Sequence, residues 1–313
     1  MKIAVIGAGA MGAMFGAKLA RSGNKVFLVD IWKEHVDVIN EKGLLLKYKG
    51  SGGEYIPVKA VLSVKEVPGP VELIIIFVKG MYTETAVNEA KDLISSDTHV
   101  LTLQNGLGNA DIISKYVEPS KVIMGATKDC ATLIQPGIVN DTTEKLPVTT
   151  EIVSFDKSIT PELEEVAETL TKAGIGTEVS ASAEVDIWKK LIINCCVNAP
   201  CMLTRLNMSI MTNDPYGSKL CHELIHEICT VASKKGINID PEQMHAFIKD
   251  YYKESAHHPS MSQDAYKKIK TEIETITGAV VREAAKYSVP VPVNETFYNL
   301  IKLVENNYDK LWY

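Results

Sequence analysis

The chain has 313 residues, of which 46% are hydrophobic and 23% charged, with a formal net charge of −6. This length supports two domains with cores of their own, in an ordinary soluble globular composition. The acidic balance argues against nucleic acid or an anionic membrane as the main partner, and no apolar run reaches the roughly 18 residues that suggest a membrane span.

The N-terminal "KIAVIG" reads as a short buried strand. It is too short for a signal peptide and leads into glycines rather than a cleavage site. "AMFGAKLARSG" follows as a helix ending at Gly23, and "KVFLVD" is a second strand. "LLLKYKGSGGEYIPVKAV" has the alternation and central glycines of a hairpin. "ELIIIFVK", "THVLTLQN", "KVIMGATKDCATL", "TEIVSF" and "GTEVSA" continue as strands, with helices such as "TETAVNEAKDLI" and "PELEEVAETLTKAG" between some of them. This alternation predicts an α/β, doubly wound parallel sheet with helices on both faces. After Ser182 the character changes. "AEVDIWKKLIINCCVNAPCML", "SKLCHELIHEICTVASKKG", "PEQMHAFIKDYYKE", "SQDAYKKIKTEIETITGAVVREAAKYS" and "NETFYNLIKLVENNY" all read as helices. The expected division is a sheet domain over 1–181 and an all-helical C-terminal domain over 182–313. Six cysteines occur without a C-x-x-C pair and read as reduced core thiols of a cytoplasmic protein.

Gly7-Ala8-Gly9-Ala10-Met11-Gly12 is G-x-G-x-x-G, directly after a strand and opening a helix. The first glycine permits the tight turn, the second lets the backbone approach a pyrophosphate, and the third lets helix and strand pack closely. Helix N-terminal amides then face the phosphates. Asp30 ends the second strand, where a carboxylate can accept from both ribose hydroxyls of NAD and would repel a 2′-phosphate. Lys79 and Asn105 each stand at the carboxyl end of a strand, where ligands of open parallel sheets bind.

From Leu191 to Thr204 the chain carries no charge, so this helix is expected to be enclosed. Lys190, Asn194 and Asn198 recur on it at i, i+4 and i+8 as one polar stripe. Such a stripe serves a ligand, or a structural network, or marks an exposed helix end. "HHPSMSQD", containing Ser260, reads as a loop entering the next helix. Glu272 is expected on that helix beside the stripe Ile269, Ile276 and Val280.

Together these residues resemble the ketopantoate reductase (2-dehydropantoate 2-reductase) family. The resemblance covers nearly the whole chain: G-x-G-x-x-G, V-K at Lys79, Q-N-G at Asn105, K-L-x-x-N from Lys190, S-M-x-Q-D from Ser260, and T-E at Glu272. It implies a Rossmann domain, a helical domain and a cleft between them. It also implies hydride transfer from NADH or NADPH to the C2 ketone of a small 2-oxo acid, ketopantoate, giving (R)-pantoate for pantothenate and coenzyme A synthesis. Lys190 matches the family's proton donor, with Glu272 beside it. Asn105, Asn194, Asn198 and Ser260 match substrate-binding positions. The family commonly uses NADPH, whereas Asp30 here favours NADH. Asn198-Ala199-Pro200 also departs from the family's usual Asn-Pro. Reduction of another branched 2-oxo acid is the alternative, and a nucleotide-binding sensor without catalysis is the reading from another class. A homodimer is compatible with the resemblance.

"HELIH", His222 to His226, matches the H-E-x-x-H of zinc peptidases. On a helical projection both histidines join Glu223, Glu227, Thr230, Ser233 and Lys234 on a polar face, opposite Leu220, Leu224, Ile225, Ile228, Cys229, Val231 and Ala232. Glu242 and Glu254 are carboxylates that could complete a ligand set. The match is expected to be coincidental to the reaction, which needs no metal, although adventitious zinc or nickel could bind the pair.

Overall fold

The computed structural model describes residues 1–48, 52–144 and 146–311. They form two compact units, Met1–Gln104 with Asn109–Glu184, and Asn105–Gly108 with Val185–Tyr313. Among the described residues no helix is long and apolar enough to cross a membrane.

In the first unit β1 (Lys2–Ile6), α1 (Ala10–Arg21), β2 (Lys25–Val29) and α2 (Lys33–Lys42) come first. Then follow β3 (Leu44–Tyr48), β4 (Glu54–Ile56), β5 (Lys59–Val61), β6 (Leu73–Ile76), α3 (Thr83–Glu89), β7 (His99–Thr102) and α4 (Asn109–Ile113). The unit closes with β8 (Val122–Thr127), β9 (Ala131–Gln135), β10 (Ile138–Asp141), β11 (Thr150–Ser154), α5 (Pro161–Lys172) and β12 (Thr177–Val179). Eight strands make the main sheet in the order β12-β11-β8-β7-β6-β1-β2-β5. All pairs are parallel except β11 with β8. The strands are apolar on both sides because both faces are covered. Ile3 and Val5 of β1 and Leu73 and Ile75 of β6 join α1 and α5 in one core. Ala4, Ile6, Ile74 and Ile76 join α3 and α4 in the other. Strand order reverses between β1 and β6, so their carboxyl ends flank a switch point.

A second, four-stranded sheet, β4-β3-β10-β9, was not expected. The hairpin reading holds for β3 and β4, with Leu44 opposite Ile56, although residues 49–51 lie outside the described residues. β5 leaves the hairpin and pairs with β2 in the main sheet. "KVIMGATKDCATL" is likewise split between sheets as β8 and β9. At the break, Asp129 Oδ2 accepts from the hydroxyls of Thr127 (2.7 Å), Thr149 (2.8 Å) and Thr150 (3.0 Å). Buried Lys18 of α1 places Nζ 2.8 Å from Asp141 and 3.9 Å from Asp129, the latter completing a buried ionic cluster that the strand pattern did not announce.

The second unit contains α6 (Ala183–Thr204, which begins two residues before it), α7 (Met208–Asn213), α8 (Pro215–Lys234), α9 (Pro241–Tyr251), α10 (Ser260–Tyr266), α11 (Thr277–Lys286) and α12 (Pro292–Glu305). Its core gathers Leu191, Ile192, Cys195, Cys196 and Val197 of α6 with Leu224, Ile225, Ile228 and Val231 of α8. Pro200 lacks the N–H that would bond the Cys196 carbonyl in a regular helix. The Cys221 thiol of α8 donates to that carbonyl instead, at 3.6 Å, while Cys196 donates to the Cys221 carbonyl at 3.7 Å. Burial pushes Cys195 and Cys201 up to about 12 and Cys229 up to about 11, which keeps these thiols protonated. Cys130 departs from the core-thiol reading and is exposed.

Three further expectations are corrected. "SQDAYKKIKTEIETITGAVVREAAKYS" is two helices, and residues 267–276 between them are not helical. Lys268 takes φ 55°, and the Thr271 amide and hydroxyl both donate to Glu305 of α12, an arrangement that competes with helix continuation. Ile269 is consequently exposed, while Ile276 and Val280 are buried. Glu227 is not a solvated residue of the polar face: its carboxylate accepts from the amides of Val293 and Asn294 and caps α12. Leu220, assigned to the apolar face, is exposed.

Candidate active site

In the first unit the candidate site is made chiefly of backbone. Gly7 takes φ +93°, and a Cβ there would lie 2.6 Å from the Val78 amide nitrogen. A Cβ on Gly12 would stand 2.0 Å from the Gly7 carbonyl oxygen. Gly9 is the N-cap of α1, makes no side-chain cap, and a Cβ on it would meet nothing within 4 Å. Two glycines are therefore demanded by the fold, whereas the third borders open space in front of the uncapped amides of Ala10, Met11 and Gly12. Ala8 is buried between them. This cradle fits a pyrophosphate: it combines orphan donors, the positive end of α1, and room for a close approach.

Asp30 follows β2, and its Oδ1 accepts from the Trp32 amide at 2.9 Å, just ahead of α2. This fixes the carboxylate while Oδ2 accepts no hydrogen bond among the described residues. Behind it lies His35, fully buried, with Nδ1 accepting from the Gly137 amide at 3.0 Å. Burial lowers its pKa, with the Asp30 charge and the Ala8 backbone pulling the other way, so its neutral form is favoured. Lys79 follows β6 across the switch point from Gly7.

Gln104 is a residue of this region that sequence reasoning passed over. Its Nε2 donates to the Val78 carbonyl (2.6 Å) and to the Thr83 hydroxyl (2.9 Å), and its Oε1 accepts from Thr102 (2.8 Å). It thereby ties the ends of β6 and β7 together. Its place beside Asn105 in "LQNG" was the available signal.

In the second unit the candidate site is made of side chains. Asn105 donates through Nδ2 to Glu272 Oε2 at 3.1 Å, across 167 residues of sequence. The next residues make this meeting specific. The Leu107 amide donates to the Thr275 carbonyl at 2.9 Å, and a Cβ on Gly106 would stand 1.9 Å from that same oxygen. Lys190, Asn194 and Asn198 lie along α6, the first two partly exposed and Asn198 buried. Asn198 Oδ1 accepts from the Met261 amide (3.3 Å) and the Ser260 hydroxyl (3.4 Å), so α6 and α10 are joined at these positions. Asn194 Nδ2 is buried and has no hydrogen-bond partner among the described residues. A cavity of about 880 Å³ in this unit is lined by Cys201, Arg205, Ser262 and Tyr308 among others, and by none of Lys190, Asn194, Asn198 or Glu272.

Comparison with known proteins bears on both units. Residues 3–153 match the family model described as Ketopantoate reductase PanE/ApbA, and residues 182–305 match its C-terminal counterpart. The chain is 32% identical over 311 residues to the 2-dehydropantoate 2-reductase of Lactococcus lactis, covering 96% of this chain and 97% of that one. The ternary structure of D-mandelate dehydrogenase with NADH and anilino(oxo)acetate is similar at a TM-score of 0.91 and 32% identity, over 99% of each chain. A PanE/ApbA family ketopantoate reductase from Ralstonia eutropha has a TM-score of 0.88 and 27% identity, over 99% of this chain and 100% of that one.

A glycine cradle at the switch point of a parallel sheet, with these relatives, defines an NAD(P)-dependent oxidoreductase acting on CH–OH groups. Its family match runs through both units. The chain belongs to the ketopantoate reductase PanE/ApbA family.

Proposed function

We propose that the chain reduces the C2 ketone of 2-dehydropantoate to (R)-pantoate, with NADH preferred, as a step toward pantothenate and coenzyme A. The Asn105–Glu272 hydrogen bond carries this reading, because it joins a strand-end residue suited to a nicotinamide site to an acid suited to the substrate. The reduced nicotinamide supplies the hydride. The alkoxide developing on the ketone oxygen needs a proton, and the Lys190 ammonium donates it as general acid. Glu272 would hold that lysine in place and supply a negative charge near it. Asn194 Nδ2, a buried donor without a partner among the described residues, has the chemistry to bind the substrate's carboxylate. Asn198 and Ser260 would hold the hydroxyl side of the substrate. Asp30 favours NADH, since its Oδ2 is open to a ribose hydroxyl and repels a 2′-phosphate.

The likeness to D-mandelate dehydrogenase with NADH favours a second reading, NADH-dependent reduction of another branched or aromatic 2-oxo acid. One experiment separates them: kcat/KM for 2-dehydropantoate, 2-oxoisovalerate and benzoylformate, each with NADH and with NADPH. The first reading expects 2-dehydropantoate with NADH to be best. A tenfold preference for either other acid supports the second reading, and tight NADH binding without turnover on any of them identifies a sensor. A preference for NADPH of tenfold or more overturns the role given to Asp30.

A further inference from the structure

The two histidines of "HELIH" do not lie idle on a solvated face. His222 and His226 are half-buried on α8, and both direct Nε2 at one carboxylate oxygen on α9. His222 Nε2 is 3.0 Å from Glu242 Oε1, His226 Nε2 is 2.9 Å from the same atom, and the two nitrogens are 3.1 Å apart. We propose that His222, His226 and Glu242 form a surface site for a zinc-like divalent transition-metal ion that clasps α8 to α9, apart from the reductase chemistry.

Three arguments support it. The first is geometric. Tetrahedral coordination with metal–ligand bonds of about 2.0–2.1 Å separates the ligand atoms by about 3.3 Å. The three atoms already stand within a few tenths of an ångström of that spacing, so binding needs only a slight expansion. The second is preorganisation. The histidines are one turn apart in the middle of a twenty-residue helix. Glu242 lies in the first turn of α9, where Asp240 accepts from its amide at 2.9 Å. The backbone is already ordered at all three positions, while the exposed Glu242 side chain still has rotamer freedom to lose. The third is donor chemistry. Two imidazoles and one carboxylate suit zinc, cobalt, nickel or copper, whereas magnesium and calcium prefer all-oxygen shells.

The same details set the character of the site. His245 of α9 is nearby, its ring 5.3 Å from that of His222, but its Nε2 bonds the hydroxyl and carbonyl of Ser218. Among the described residues the site thus offers three ligands, and water would complete the shell. No carboxylate or carbonyl among the described residues orients Nδ1 of His222 or His226, so affinity should be moderate. With Glu227 committed to the cap of α12, the face reads as a fastening between helices.

The test uses untagged full-length protein stripped with chelator and then titrated with cobalt or zinc. Wild type should bind one equivalent of cobalt with visible ligand-field absorption, and excess zinc should raise Tm by roughly 5 °C through preferential binding to the native state. His226→Ala and Glu242→Gln, made separately, should each weaken cobalt binding at least about tenfold, and should keep wild-type reductase activity as proof of folding. Unchanged cobalt affinity in either variant, or an equal Tm rise with magnesium, overturns the proposal. If a variant fails to fold, the wild-type spectrum decides: a cobalt spectrum indistinguishable from that of the aqueous ion sinks the site.

Discussion

The glycine cradle of the first unit and the polar stripe of the second are opposite kinds of construction. The cradle works by lacking atoms. Gly7 and Gly12 leave room for the backbone of their own fold, and Gly9 leaves room for something else. The stripe works by presenting atoms: an ammonium and two amides along one packed helix, α6. A backbone-built site should be damaged by addition, and a side-chain-built site by removal.

The largest expected effect tests removal. Lys190→Ala should lower turnover at least about a hundredfold, the low end for losing a general acid. Its NADH dissociation constant should stay within about twofold, since the cradle does not contain the lysine. Near wild-type turnover in a steady-state assay would mean that the stripe is not where the reaction's proton comes from.

Next comes a place where the cofactor side depends on a side chain. Asp30→Asn should shift the ratio of NADH to NADPH efficiency by at least about tenfold toward NADPH, because like-charge repulsion is removed. An unchanged ratio would show that the carboxylate serves only the Trp32 amide.

Addition is tested by two neighbours that should behave differently. Gly12→Ala forces a Cβ against the Gly7 carbonyl and should destabilise the fold by about 1–3 kcal/mol, read by denaturant titration. Gly9→Ala meets nothing in the fold and should leave Tm within about 1 °C, while weakening NADH by about tenfold where the pyrophosphate must approach. Loss of stability in Gly9→Ala, or tight NADH binding by it, would remove the distinction between a glycine kept for the fold and one kept for a ligand.

The smallest effect concerns pH. Burial lowers the pKa of His35 and His99 below the ordinary 6.5, so both favour the neutral form in the native first unit. Below about pH 6.5 the unfolded chain takes up protons that the native one does not. Their stabilising contribution is therefore full above that pH and is lost as pH falls through the folded-state values. Urea midpoints should decline from pH 7 to 5, and His99→Gln should decline less steeply. A steeper decline in the variant would contradict this origin.

Local pattern made much of this molecule legible. Strand–helix alternation gave the α/β class, and a G-x-G-x-x-G between a strand and a helix gave the loop, because pleat, helix periodicity and glycine sterics act over a few residues. The spacing of Lys190, Asn194 and Asn198 placed them on one helical face for the same reason. The sequence by itself thus determined the class of sheet, the glycine cradle and the polar stripe of α6. Only the tertiary structure decided that Glu272 leaves its helix, that Asn105 meets it 167 residues away, that Lys18 is buried against Asp141, and that Glu242 faces both histidines of "HELIH". Each of these depends on a distant partner offering a hydrogen bond or a charge, which no local pattern announces. In residues 267–276 such offers, from Glu305 to Thr271 and from Thr275 to Leu107, prevail over a helical periodicity that nothing local contradicts.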